Sequence, residues 1–132
     1  MLILLLLAEV SAPLPDNMTV RKATMNMARC VQSQIDQLDD GISDARTVAQ
    51  GATAACGGAR GLLRRSLAQA IDELALKVAK KSGEPVSDAE KTANVEEAMS
   101  NLDESIGQNS VRWVLQKRAA DPAPPKKDDE AP

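Results

Sequence analysis

Apolar side chains recur along the first half of the chain at intervals of three and four residues, the spacing of one face of an α-helix. Before the turn at residues 40–43 they fall at Val20, Met27, Val31, Ile35 and Leu38, with one interval of seven between the first two. After it the same spacing continues at positions 45, 48, 52, 55, 59, 62/63, 67, 71, 74 and 78. This pattern predicts helices over about 16–40 and 43–81, joined as an antiparallel helical hairpin. Gly41 is the expected end of the first helix, and Ser43 and Asp44 are the expected caps of the second.

A third apolar stripe follows a turn near Gly83. Ser87 and Glu90 have the spacing of a capping box, which marks the start of a helix. The stripe itself lies at Val95, Met99, Leu102, Ile106 and Trp113, and it predicts a helix over about 87–118. If this helix folds back along the second one, residues 16–119 form an all-α, up-down-up three-helix bundle. This register sets Ile71 level with Val95 or Glu96, and Trp113 near Ala54.

The continuity of the second helix is an open question. Gly57, Gly58 and Gly61 lie inside it, and each interior glycine costs about 1 kcal/mol relative to alanine. A break at 56–61 would divide the long helix into two.

Composition limits the core that the chain can build. The chain has 132 residues, enough for one small domain, and Trp113 is its one aromatic side chain. We expect a thin core that needs a covalent staple or a partner. The formal net charge of −3 offers no basic excess, so we expect no nucleic-acid partner.

The two ends of the chain differ in composition from the residues between them. Residues 1–12, MLILLLLAEVSA, form a signal-peptide-like apolar segment that is too short to span a bilayer. The alternative is a buried N-terminal helical turn. Residues 120–132 are rich in proline and charge, which predicts a disordered tail. A signal peptide would send the protein to the periplasm or outside the cell.

The two cysteines, Cys30 and Cys56, favour a disulfide. The chain has no histidine and no C-x-x-C pair, so we expect no metal site and no activated catalytic thiol. In the hairpin register the two cysteines lie level, and the surrounding alanine and glycine allow the helices to approach closely. Two reduced cysteines in a cytosolic hairpin are the alternative.

The sequence around the two cysteines also resembles that of other proteins. Within residues 18–56, a Cys is followed by Leu-Asp-Asp-Gly-x-Ser-Asp-Ala and then by Ala-Ala-Cys. This pattern resembles short, uncharacterised exported two-cysteine helical proteins of Gram-negative bacteria. The resemblance implies an exported, disulfide-linked hairpin and no particular activity.

The sequence therefore predicts a non-enzymatic interaction or structural module that binds a protein partner or itself, without catalytic residues, cofactor or metal. The residues of its expected interaction surface are Arg60, Arg64, Arg65, Lys77, Lys80, Lys81 and Trp113. One alternative is a peripheral membrane-surface protein that uses the basic half of the second helix. Another is a redox-active cysteine pair.

Overall fold

Residues 17–120 are described by the structure, a computed structural model, and they fold into helices with short connections. Helix α1 spans Met18–Leu38, α2 spans Ala45–Ala55, α3 spans Gly57–Ser82 and α4 spans Asp88–Ala120. No strand occurs in this range, so the all-α prediction is confirmed for it. The signal-like segment 1–12 and the tail from 121 onward lie outside the described residues. Ala120, assigned to the tail from the sequence, is the last residue of α4.

Helix α1 begins at a side-chain cap and ends earlier than predicted. Asn17 Oδ1 accepts hydrogen bonds from the backbone N–H groups of Thr19 and Val20, both at 3.1 Å. The helix was expected to reach position 40 and to end at Gly41, but it ends at Leu38. The reason is local: the Asp39 and Asp40 carboxylates accept hydrogen bonds from backbone N–H groups of residues 41–43, which competes with helix continuation.

The predicted second helix, 43–81, is two helices in the structure. The break lies at Cys56, whose N–H donates to the Thr53 carbonyl at 3.1 Å, while its own carbonyl accepts from Arg60 N–H at 3.0 Å. Cys56 therefore ends α2 in a tight turn and starts α3. The Ser43 cap was also wrong, because the Ser43 hydroxyl donates to Asp40 Oδ2 at 2.6 Å, and α2 begins only at Ala45.

Interactions between nearby residues determine where α3 ends and where α4 begins. Gly83 adopts φ 75°, a left-handed conformation that ends α3, and its N–H donates to the Ala79 carbonyl at 2.9 Å. Ser87 Oγ accepts from Glu90 N–H at 3.2 Å, which is one half of the predicted capping box. From there α4 runs to Ala120 and passes through Gly107 without a break.

Apolar side chains from all four helices form one core. Four of the five predicted α1 positions are buried, the exception being Leu38, which is 47% exposed. In the pair 62/63, Leu63 is buried and Leu62 is 51% exposed. The largest buried side chains of the core are Met27, Ile35, Leu63, Leu67 and Met99.

Helices α1 and α4 each pack along both α2 and α3. The register between α3 and α4 differs from the predicted one: Glu96 pairs with Arg64 rather than lying level with Ile71, and Lys91 pairs with Asp72. The predicted register assumed a tight turn at Gly83, whereas residues 83–87 form a longer non-helical connection before α4. None of the helices in residues 17–120 is long and apolar enough to cross a membrane.

Candidate functional site

The predicted disulfide between Cys30 and Cys56 is confirmed. It joins the middle of α1 to the junction of α2 and α3, and the two Cα atoms are 6.0 Å apart, a normal separation for a disulfide. Both cysteines of the chain are used in this bridge. Cys56 is only 1% exposed and belongs to the core, so the bridge lies where it holds three helices together.

The predicted basic surface is divided between two environments. Arg60 donates through Nε and Nη2 to the Asp103 carboxylate of α4, at 3.0 and 2.6 Å, and Arg64 pairs with Glu96 of α4. The remaining members, Arg65, Lys77, Lys80 and Lys81, are exposed. Two of the six positive charges are thus paired with carboxylates of α4.

Trp113 lies apart from these basic residues. It is half-buried and packs against the core, and it lines a shallow depression of about 410 Å³ beside Ile35 and Asp36 of α1. The sequence placed it near Ala54; in the structure this part of α4 turns the Trp113 side chain toward α1. Lys117, one turn further along, reaches Asp36 Oδ1 at 3.6 Å.

A concave feature lies between α2 and α4. This α2–α4 groove has a volume of about 700 Å³, and small side chains make up much of its lining, namely Ala49, Thr53, Ala54, Gly57, Gly107 and Val111. Charged side chains mark its two ends: Arg46 comes from the start of α2, and Glu104 lies on α4 beside the Arg60–Asp103 pair.

Sequence reasoning did not find this groove, although a signal for it was present. Ala49, Thr53 and Gly57 follow one another at intervals of four residues, and Gly107 and Val111 do the same on α4. Such spacing puts small residues on one helix face. Which partner that face meets depends on the rotation of α4, and the periodicity of a single helix does not contain that rotation.

A second charged cluster ties the end of α4 to the α1–α2 connection. Arg118 Nη2 donates to Asp39 Oδ1 at 2.7 Å and to the Ser43 carbonyl at 2.6 Å. The Asp39 side chain keeps only 3% of its accessible surface, against 25% for Arg118. The cluster is an anchor between elements far apart in sequence, and the sequence analysis did not predict it.

Hydrogen bonding strengthens the charged form of four groups. The bonds from Arg118 lower the pKa of Asp39, and bonds from Ser43 and Ile42 lower the pKa of Asp40 to about 2. The partner carboxylates Asp103 and Asp39 raise the pKa values of Arg60 and Arg118 respectively. All four shifts move away from neutral pH, so these groups are held in their charged forms and are unsuited to proton transfer.

Metal coordination has no candidate in the described residues. Within 17–120, no group of three or more Cys, Asp and Glu side chains is arranged to hold a metal ion. The groove offers one carboxylate already bonded to Arg60 and one exposed carboxylate, Glu104. The groove is therefore a concavity with small side chains along it and charged side chains at its ends.

Comparison with known proteins adds no relative: no protein-family model, curated protein or solved structure matches this chain.

Proposed function

We propose that this chain is a small exported helical protein that acts as a non-enzymatic interaction or structural module, held in shape by the Cys30–Cys56 disulfide. The observation that carries the proposal is the α2–α4 groove, a concavity lined by small side chains with opposite charges at its ends. A groove of this kind suits a protein segment, because small side chains let another backbone or an apolar side chain approach closely.

The proposed architecture is an up-down-up bundle in which α1 and α4 run one way and α2 with α3 runs the other. The order of the ion pairs supports it. Moving forward along α4, Lys91, Glu96 and Asp103 meet Asp72, Arg64 and Arg60, so their partners move backward along α3. The Cys30–Cys56 bridge and the nearness of Leu38, at the end of α1, to Gly51 of α2 agree with the same arrangement for α1.

The proposed location is the periplasm or the cell exterior. Disulfides persist in oxidising compartments, and residues 1–12 have the apolar composition of a secretory signal. The resemblance to exported two-cysteine helical proteins points the same way. Intact-mass analysis of the chain purified from its native host tests this location. We expect a mass lower than the reduced full chain by two hydrogens and by the cleaved leader; a full-length chain with free thiols would refute the export proposal.

Cross-linking in living cells tests the interaction role. A photo-cross-linking amino acid at Gln50, which lines the groove, is compared with the same amino acid at Gln37, an exposed position on α1 outside it. We expect an adduct from position 50, identified by mass spectrometry, and none from position 37. The absence of any adduct from the groove would contradict the proposal.

The membrane-surface alternative rests on the exposed residues Arg65, Lys77, Lys80 and Lys81. Because Arg60 and Arg64 already pair with α4, this charge is weaker than the sequence suggested. Binding to vesicles of anionic lipid that weakens with added salt would favour this alternative over the groove.

The redox alternative requires that a reductant reach the bridge. Cys56 is buried and Cys30 is partly buried, which favours a structural disulfide instead, because thiol–disulfide exchange needs access to a sulfur atom. A bridge that glutathione does not reduce in the folded protein would exclude the redox role.

A further inference from the structure

We propose that the occupant of the α2–α4 groove is a second copy of this chain, docked groove to groove about a two-fold axis. This inference rests on the proposed function, since it names the partner of the same surface. It follows from three features of the described residues: the small lining of the groove, one exposed leucine on its α4 side, and the distribution of charge along it.

The first feature is a recess with no large side chain of its own to fill it. Gly57 and Gly107 lie on opposite sides, on α3 and α4, with Ala54 beside them. A Cβ atom added at either glycine would meet nothing within 4 Å, so the recess is open at this level. It can receive an aliphatic side chain from outside.

The second feature is Leu115, which is 54% exposed. It continues the stripe that lines the α4 side of the groove, since 104, 108, 111 and 115 are spaced by four, three and four residues and share one helix face. Leu115 therefore stands just beyond the groove, on the side of the α1–α2 connection. An exposed leucine next to an open recess favours docking in which one fills the other.

The third feature is charge of opposite sign at the two ends. Arg46 lies at the end near the α1–α2 connection, and Glu104 lies at the far end, beside Asp103. Both are exposed, and neither takes part in an ion pair among residues 17–120. Along the groove, the surface is thus positive at one end and negative at the other.

A two-fold axis through the middle of the groove satisfies all three features together. The rotation exchanges the ends and keeps α4 opposite α4, so that Arg46 of each copy lies at the same end as Glu104 of the other, and Leu115 of each copy lies at the level of Gly107 in the recess of the other. Each contact occurs twice, as in any isologous dimer. A docking with both copies pointing the same way would set like charges together and leave both leucines exposed.

Sedimentation equilibrium of the oxidised full chain over a range of concentrations tests the dimer. We expect reversible dimerisation, weakened at least about tenfold in dissociation constant by Leu115→Lys, because each dimer loses two apolar contacts and gains two unpaired charges. The matched control is Leu76→Lys, a leucine 64% exposed on α3 that lies outside the groove. Its dissociation constant should stay that of the wild type, and circular dichroism should show unchanged helicity for both variants.

Charge reversal provides the sharper test. Arg46→Glu and Glu104→Arg should each weaken the dimer, by about threefold to tenfold, because each sets two like-charge pairs against each other. The double variant should recover most of the loss, since it restores opposite charges in exchanged positions. Loss of dimerisation in the singles without recovery in the double would overturn the two-fold arrangement.

A chain that stays monomeric at every concentration would also overturn the inference. So would a dimer whose dissociation constant is unchanged by Leu115→Lys. These failures are distinguishable from failure of the proposed function. If the chain is monomeric but the cross-linker at Gln50 captures a different, identified protein, the interaction role is supported and self-association is refuted. If neither a dimer nor an adduct forms, both the interaction role and self-association are refuted.

Discussion

At the scale of single residues, Asp39 connects parts of the chain that are distant in sequence. Its carboxylate follows the last residue of α1 and accepts hydrogen bonds from Arg118 in the last turns of α4. It also accepts from Gly41 N–H at 3.0 Å. The same carboxylate therefore shapes the α1–α2 connection and holds the end of α4 against it.

Replacement of Asp39 by Asn should weaken this anchor in a pH-dependent way. The pKa of Asp39 is lowered by Arg118, so its charge stabilises the fold above the ordinary carboxyl pKa of about 3.9, and this stabilisation is lost as pH falls through the lowered value. We expect Asp39→Asn to lower the urea midpoint at pH 7 and to leave it unchanged once wild-type Asp39 is protonated.

The control for this prediction is Asp36→Asn on α1, which removes an exposed ion pair with Lys117 of α4 and should change the midpoint little. Equal midpoints for wild type and Asp39→Asn at pH 7 would contradict the anchoring role.

A second residue-scale prediction concerns Asn94. Its Oδ1 is buried without a hydrogen-bond partner among the described residues, and an unsatisfied buried acceptor costs free energy. Asn94→Leu should raise the free energy of unfolding by about 1 kcal/mol. Asn101→Leu, at an exposed position on the same helix, should leave it almost unchanged. Chemical denaturation measures both, and a destabilised Asn94→Leu variant would show that the amide is needed where it lies.

At the scale of elements, the interruption of the helix at Cys56 distinguishes the observed fold from the three-helix bundle predicted from the sequence. The apolar spacing continues through the break, because α2 and α3 place their buried residues on one side. Weak helix formers follow immediately at Gly57 and Gly58, and the disulfide holds Cys56 against α1. The break therefore needs both a locally weak helix and a tertiary constraint.

Two glycine-to-alanine substitutions should have opposite effects. Gly61 is helical, and a Cβ added there would meet nothing within 4 Å, so Gly61→Ala should raise the free energy of unfolding by about 0.5–1 kcal/mol. Gly83 has φ 75°, so Gly83→Ala should lower it by about 1 kcal/mol. Thermal unfolding followed by circular dichroism compares the pair, and two changes of the same sign would refute the assignment of their conformations.

At the scale of the whole molecule, stability depends on a small aliphatic core and one covalent bridge. The core holds no fully buried aromatic side chain, because Trp113 is only partly covered. The disulfide closes a segment with a sequence separation of 26 residues. Cross-linking a loop of this length limits the unfolded chain and stabilises the fold by roughly 3.5 kcal/mol in the chain-entropy model.

The double variant Cys30→Ala/Cys56→Ala should therefore lose roughly 3.5 kcal/mol of unfolding free energy. Urea denaturation of the variant and of the wild type, with and without a strong reductant, measures the loss. Reduced wild type and the double variant should unfold at similar urea concentrations. A loss below about 1 kcal/mol would mean that packing alone holds α1 against the α2–α3 junction.

The sequence predicted those parts of the molecule that depend on neighbouring residues. Val20, Met27, Val31 and Ile35 are buried as their spacing indicated, and Ser87 accepts the expected capping bond. The pairing of the two cysteines could also be predicted, because a short connection limits the register of two adjacent helices. The capping bond depends on residues within one turn, and the cysteine pairing depends on one short connection between adjacent helices.

By itself, the sequence determined the helical content and the positions of the α1–α2 and α3–α4 connections, and it favoured the pairing of the two sulfurs. The tertiary structure alone decided that Arg60 and Arg64 meet α4, that Trp113 turns toward α1, and that small residues line a groove. The physical reason is that the rotation and axial position of a helix relative to its neighbours are set by the packing of all its contacting side chains at once, and no repeat within one helix records them.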